Sequence, residues 1–178
     1  KRWLEIIGKI FLALFWALRF KIFRLVDFVH IYQVIERSAL FNVVFYRKTL
    51  SLADRARKDP YPLVHYLARG TRDGKDPHPL FDTAYYLRQC PDVLESGLNP
   101  LVHYLEYGAY EDRKPHPLFD TAYYLRRYAD VVESGLNPLV HYLAHGAYEG
   151  RNPNPLFDTA HYLRQYPDVV VESGLNPL

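Results

Sequence analysis

Apolar and polar residues follow two different patterns along this chain. In the opening segment, "KRWLEIIGKIFLALFWALRFKIFRLVDFVHIYQVIERS", apolar positions are nearly continuous, no proline interrupts them and the only glycine is Gly8. That pattern predicts helix, either one long segment or two shorter ones. Its longest uncharged run lies at positions 10–18, between Lys9 and Arg19, less than half of the about 20 residues that a bilayer-spanning helix needs. Charges continue through Arg19, Lys21, Arg24 and Asp27 with no small-residue cleavage site, which also excludes a secretory signal peptide.

From position 60 the apolar residues fall into short bursts punctuated by proline and glycine, and the bursts repeat. "PLFDTA" begins at Pro79, Pro117 and Pro155, and "PLVHYL" begins at Pro62, Pro100 and Pro138, so both motifs advance by the same constant step. Each unit is expected to hold two short helices. In "FDTAYYLRQC", Asp82 is placed as an N-cap, Ala84 and Leu87 share an apolar stripe, and Pro91 limits the helix before a turn at Gly97. In "NPLVHYLEYGAY", Asn99 is the N-cap and Pro100 takes the first helical position, where its missing N–H is harmless. Gly108 and Gly146 suit left-handed C-terminal caps. The third copy reads "PDVVVESG" where the first reads "PDVLESG", and the extra residue marks a loop or a ragged helix end.

Two such helices cannot bury their apolar faces alone, so neighbouring units must stack. The expected fold is all-α: a long basic amphipathic helical segment over residues 1–50, then tandem hairpin repeats over residues 51–178. The first copy looks degenerate, because "FYRKTLSLADRARKD" stands where "FDTAYYL" would, and the last is truncated.

Charge sharpens the division. Residues 1–58 carry 12 Lys+Arg against 4 Asp+Glu, a net +8, and residues 59–178 carry 10 against 16, a net −6. A basic, aromatic front with Trp3, Lys9, Phe11, Phe15, Trp16, Arg19, Phe20, Lys21, Phe23 and Arg24 has the composition of a helix lying in a membrane interface. The same residues would suit a groove on a partner, or foreign transmembrane helices of a membrane protein complex. Nucleic acid is not expected, given the apolar interleaving and the acidic rear. With no methionine and an end inside a repeat, the chain reads as a piece of a longer protein. Cys90 is the only cysteine, so no internal disulfide exists, and it stands where later copies have Tyr128 and Tyr166.

Recurrent polar groups are the candidate chemistry. His65, His103 and His141 lie in register, but one histidine per repeat lacks the ligand set of a zinc site, and no nucleophile recurs beside it. They are expected to hydrogen-bond, joining adjacent units. Asp82, Asp120 and Asp158 are read as caps. Glu111 with Arg113, and Glu149 with Arg151, read as salt-bridged connectors within reach of Arg88, Arg126 and Arg164. No metal motif, phosphate loop or catalytic constellation is visible, so neither a cofactor nor catalysis is expected of this segment. Most tyrosines are expected in the core, while Tyr107, Tyr110, Tyr148 and His145 are candidate contacts for a protein partner or a glycan.

The stretch "PLFDTAYYLRQCPDVLESGLNPLVHYLEYGAYEDRKPHPLFD" resembles a Tyr/Pro-rich repeat of bacterial proteins, with Phe-Asp, Tyr-Leu, Pro-Asp-Val, Asn-Pro-Leu, His-Tyr-Leu and a Gly…Glu-Gly-Arg-x-Pro tail. The resemblance covers residues 60–178 and departs at Ala129, Asp112 and His161. Such repeats lie beside glycosyltransferase domains of surface-polysaccharide assembly proteins. The resemblance therefore implies the company of an enzyme and carries no catalytic residue, while the basic front is expected to hold the chain peripherally on the cytoplasmic side of a bacterial membrane.

Overall fold

The computed structural model describes residues 27–56 and 61–167. The protein is all-α, as the pattern predicts. Helix α1 covers residues 27–37 and ends at Ser38, whose hydroxyl donates to Ile35 O at 2.8 Å. Ile35 and Leu40 are fully buried in the core. Next come α2 (Val43–Thr49), α3 (Leu52–Ala56) and α4 (Pro62–His65), the last widening into a π-helical turn over Tyr66–Gly70. The order of elements then recurs: α5 (Thr83–Gln89), α6 (Pro91–Ser96) and α7 (Pro100–His103) with a π turn over Tyr104–Gly108. It recurs again as α8 (Thr121–Arg127), α9 (Ala129–Ser134) and α10 (Pro138–His141) with Tyr142–Gly146, before α11 (Thr159–Gln165).

Each of the first three units thus holds three short helices, not the expected two. "PDVLES" is itself a helix, because Pro91 starts α6 at its first position instead of merely stopping α5. Cys90 is at once the end of α5 and the entry to α6. Gly97 and Gly135 end α6 and α9 with φ of 68° and 66°, a left-handed backbone that glycine adopts freely. The longer third copy of this segment lies outside the described residues.

The expected caps are present. Asp82, Asp120 and Asp158 accept from Tyr85 N, Tyr123 N and His161 N at 2.7, 2.9 and 2.8 Å. Asn99 and Asn137 accept from the first-turn amides of α7 and α10. Each such cap contributes about 1 kcal/mol.

The first copy is less degenerate than its sequence suggests. Asn42 caps α2, its side chain accepting from Phe45 N at 2.9 Å. Tyr46 is fully buried, with its hydroxyl 2.9 Å from His65 Nδ1. Phe41, Asn42 and Tyr46 therefore stand in the places of Phe81, Asp82 and Tyr86, and "FNVVFY" is the opening helix of this unit. Two extra residues between Leu50 and Pro62 hide the match, since they set Phe41 and Phe81 further apart than Phe81 and Phe119.

The interior of every unit is an aromatic cluster. Tyr46 meets Tyr66, Tyr86 meets Tyr104, and Tyr124 meets Tyr142 edge-to-face, at centroid separations of 5.6, 5.9 and 5.8 Å. Phe81 and Phe119 close the second and third clusters from one side. Edge-to-face contact places the positive rim of one ring on the negative face of the other, contributing about 1 kcal/mol beyond area burial.

Each unit is tied to the connectors on either side of it through their backbone carbonyls. Asp82 N donates to Pro115 O and Asp120 N to Pro153 O, both at 3.0 Å, so each connector returns beneath the helix that began its unit. Thr83 and Thr121, fully buried, donate their hydroxyls to Lys75 O and Arg113 O of the preceding connector.

Candidate functional site

The recurrent histidines are bound inside their own units. His103 Nδ1 lies 2.8 Å from the Tyr86 hydroxyl and His141 Nδ1 lies 3.0 Å from that of Tyr124. Each pair joins the first helix of a unit to its last, so the expectation that these histidines link adjacent units is corrected. Both rings are more than nine-tenths buried. Burial pushes the hydroxyls of Tyr66, Tyr86, Tyr104, Tyr124 and Tyr142 above the ordinary phenol range, which keeps them neutral. Cys90 is also buried, and burial raises its thiol, so it is a packing residue in place of a tyrosine.

Gly108 and Gly146 do not take a left-handed backbone, in contrast to the expected caps. Their missing side chains make room for tyrosine: a Cβ on Gly108 would lie 2.1 Å from the Tyr86 hydroxyl oxygen, and one on Gly146 would lie 2.0 Å from that of Tyr124.

The connector arginines also act within units. Arg113 reaches back to Asp92 at 3.0 Å and also holds Glu111 at 3.1 Å. Arg151 does the same with Asp130 at 2.8 Å and Glu149 at 2.6 Å. The partners are the acids that open α6 and α9, and Arg88 and Arg126 take no part in these pairs. The hydrogen bond from Arg151 holds the Asp130 carboxyl below the usual carboxylate range.

A second class of histidine caps the connectors. His78 Nδ1 accepts from Leu80 N at 3.0 Å and His116 Nδ1 from Leu118 N at 3.1 Å. In the next connector Asn154 Oδ1 accepts from Leu156 N at 2.8 Å. Burial pulls the His78 pKa down from 6.5 to about 4. A group depressed in the folded state favours folding fully above its unfolded value, and this contribution is lost as the pH falls from about 6.5 towards 4. His78→Asn keeps the hydrogen bond that Asn154 already makes and removes the titration. It is expected to leave the urea midpoint at pH 7.5 nearly unchanged and to raise it at pH 4.5. Equal midpoints for the two chains at pH 4.5 would refute the role given to His78.

The other candidate contacts are dispersed. Trp3, Lys9, Phe11, Phe15, Trp16, Arg19, Phe20, Lys21, Phe23 and Arg24 lie outside the described residues. Tyr107, Tyr110, Tyr148 and His145 are all exposed. Tyr107 and His145 are equivalent positions of successive units, their rings tilted against those of His103 and His141 at centroid separations of 5.9 and 5.5 Å. Tyr110 donates its hydroxyl to Gly135 O of the next unit at 3.3 Å.

Two further surface features lie outside the sequence-based candidates. Leu94, Leu98, Val132 and Leu136 are exposed at repeated positions of successive units. A cleft of about 330 Å³ between units is lined by Tyr85, Leu118, Leu156 and Phe157 together with Lys114 and Asp120, whose charged groups are 2.7 Å apart. The recurrence of Leu at 98 and 136 after the turn glycine is the sequence signal for the first; only packing creates the second.

Among the described residues no helix is long and apolar enough to cross a membrane, and no group of three or more His, Cys, Asp or Glu side chains is placed to hold a metal ion. No protein-family model, curated protein or solved structure matches the chain.

Proposed function

We propose that this chain is a non-catalytic, membrane-associated scaffold, part of a larger protein that works with bacterial surface-polysaccharide glycosyltransferases. The observation that carries the scaffold is the use made of the recurrent polar groups. His103 and His141 are tied to tyrosine, the aspartates cap helices or clamp arginine, and the surface is left with apolar side chains at repeated positions. Such a surface suits a protein partner, which would be an appended transferase or a subunit of a membrane complex. The link with glycosyltransferases rests on the resemblance of the repeat alone.

Membrane association rests on the basic, aromatic residues 1–26, at the cytoplasmic face of the membrane. Liposome flotation of the full chain and of a chain lacking residues 1–26 tests it. The truncation stops there because Ile35, Leu40 and Tyr46 belong to the core. Flotation of the full chain on anionic vesicles, and its marked loss on truncation, are expected; undiminished flotation of the shorter chain counts against the reading.

A second reading, a glycan-binding module, is favoured by the cleft at Tyr85, where aromatic and apolar faces adjoin the Lys114–Asp120 pair. A glycan array probed with the full chain and with Tyr85→Ala distinguishes it. Signals abolished by the substitution support the module, and an array with no signal rejects it.

A further inference from the structure

The first unit departs from its successors in one direction. Along α2 the equivalences are unambiguous, since Phe41 and Tyr46 stand for Phe81 and Tyr86. Val43 and Val44 then replace Thr83 and Ala84, and Thr121 and Ala122. Arg47 replaces Leu87 and Leu125, both of which pack against the core. The following helix changes too. Where α6 and α9 carry the acids Asp92, Glu95, Asp130 and Glu133, α3 carries Leu52 and Arg55 with one acid, Asp54.

That acid has a structural task. Ser51 Oγ donates to Asp54 Oδ2 at 2.6 Å and accepts from Asp54 N at 3.2 Å, a reciprocal cap for the start of α3. Arg55 folds back to donate to Lys48 O, which holds α3 against the end of α2.

Among the described residues, the same end of the molecule lacks the cover that later units have. Thr83 is fully buried on the preceding connector, whereas Val43 is 43% exposed; Val102 is 8% exposed and its counterpart Val64 is 37%. Leu52 is 83% exposed and Val44 67%. Between α2, α3 and α4 lies an open groove of about 580 Å³ whose lining includes Val43, Val44, Arg47, Lys48, Asp54 and Arg55.

We infer that this end of the array is a second lipid-contact surface. Val44 and Leu52 enter the acyl boundary, and Arg47, Lys48 and Arg55 meet the headgroups of anionic lipid. Charge identifies the occupant: exposed cations beside exposed aliphatics, on a unit whose middle helix, unlike α6 and α9, is not acidic, match a negatively charged surface with an apolar interior. Long basic side chains suit this, because their stems lie along apolar surface while their heads stay at the polar layer. The inference rests on the membrane association proposed for residues 1–26 and adds a site to it.

The test uses the full chain with Leu52→Cys carrying an environment-sensitive fluorophore. Wild type, whose single thiol Cys90 is buried, sets the labelling background, and Leu156→Cys in the last connector, at a position 97% exposed, is the distant control. On vesicles of phosphatidylcholine with phosphatidylglycerol, emission at position 52 is expected to rise and shift to the blue, with no change at position 156. Arg47→Gln with Lys48→Gln is expected to weaken partitioning about thirtyfold, each cation near the surface contributing about fivefold.

Flotation without a spectral change at position 52 overturns the inference and leaves the membrane reading standing. No flotation at all removes both. A blue shift that grows with protein concentration in the absence of vesicles assigns the face to a second copy and overturns the lipid assignment. An equal shift on pure phosphatidylcholine overturns the role given to the cations.

Discussion

Gly108→Ala is expected to destabilise the chain by about 2–4 kcal/mol, seen as a lower urea midpoint. Helix propensity alone gives the opposite sign, because alanine in a helix is better than glycine by about 1 kcal/mol. Close approach decides. The new Cβ would stand 2.1 Å from the Tyr86 hydroxyl oxygen and 3.2 Å from His103 Nδ1, so either the π turn opens or the tyrosine withdraws. Withdrawal also leaves a buried histidine nitrogen without its partner. Tyr86→Phe alone is expected to be destabilising by about 1–2 kcal/mol, through that same lost hydrogen bond. In the Gly108→Ala background, however, it removes the clashing oxygen and should restore stability. The sign of the second step is the measurement: a double variant whose losses simply add would show that the hydroxyl does not set the need for glycine.

Tyr124→Ala should have a still larger effect, about 3–5 kcal/mol, the range for removing a buried aromatic ring. Tyr124 is fully buried and touches Phe119, Tyr128 and Tyr142 at centroid separations of 5.3, 4.8 and 5.8 Å. Its hydroxyl also holds His141. Tyr124→Phe keeps the ring and is expected to lose only the hydrogen bond, about 1–2 kcal/mol. Because each unit is supported by its neighbours, the alanine variant should also broaden or split the thermal transition measured by circular dichroism. Equal losses for Phe and Ala would place the stability in the hydroxyl and refute the aromatic core as its main source.

The two variants also mark where the amino-acid pattern is readable. The repeat period, the Asp and Asn caps and the helical class can be read from short-range rules. A cap joins a side chain to an amide two or three positions on, and Asp82 with Tyr85 or Asn99 with Val102 needs nothing from the rest of the fold. Helix α6 escapes such rules because a proline after a helix looks the same whether it stops one element or starts the next. The first unit's α2 escapes because Asn42 and Phe45 differ from Asp82 and Tyr85 and two extra residues break the period, although Tyr46 is buried like Tyr86.

The candidate surfaces are legible only in part. Tyr107, Tyr110, Tyr148 and His145 are exposed as contacts must be; Tyr107 meets His103 and His145 meets His141 one turn away on the same helix, whereas the bond of Tyr110 to Gly135 O depends on how successive units meet. In sequence, the basic, apolar end at Val44, Leu52, Arg47 and Lys48 is indistinguishable from a worn copy of the repeat. Its meaning emerges only once burial shows which positions later units cover.

Helicity, the recurrence of the units and the starting points of most helices are written into the chain locally, since all three depend on interactions within about one turn. What each recurrent residue is for depends instead on the packed molecule. His103 turns to Tyr86 and Arg113 to Asp92, partners far outside one turn of helix. Those pairings are set by the packing of one short helix on another, and the close approach that packing enforces is also what leaves Gly108 no room for a side chain.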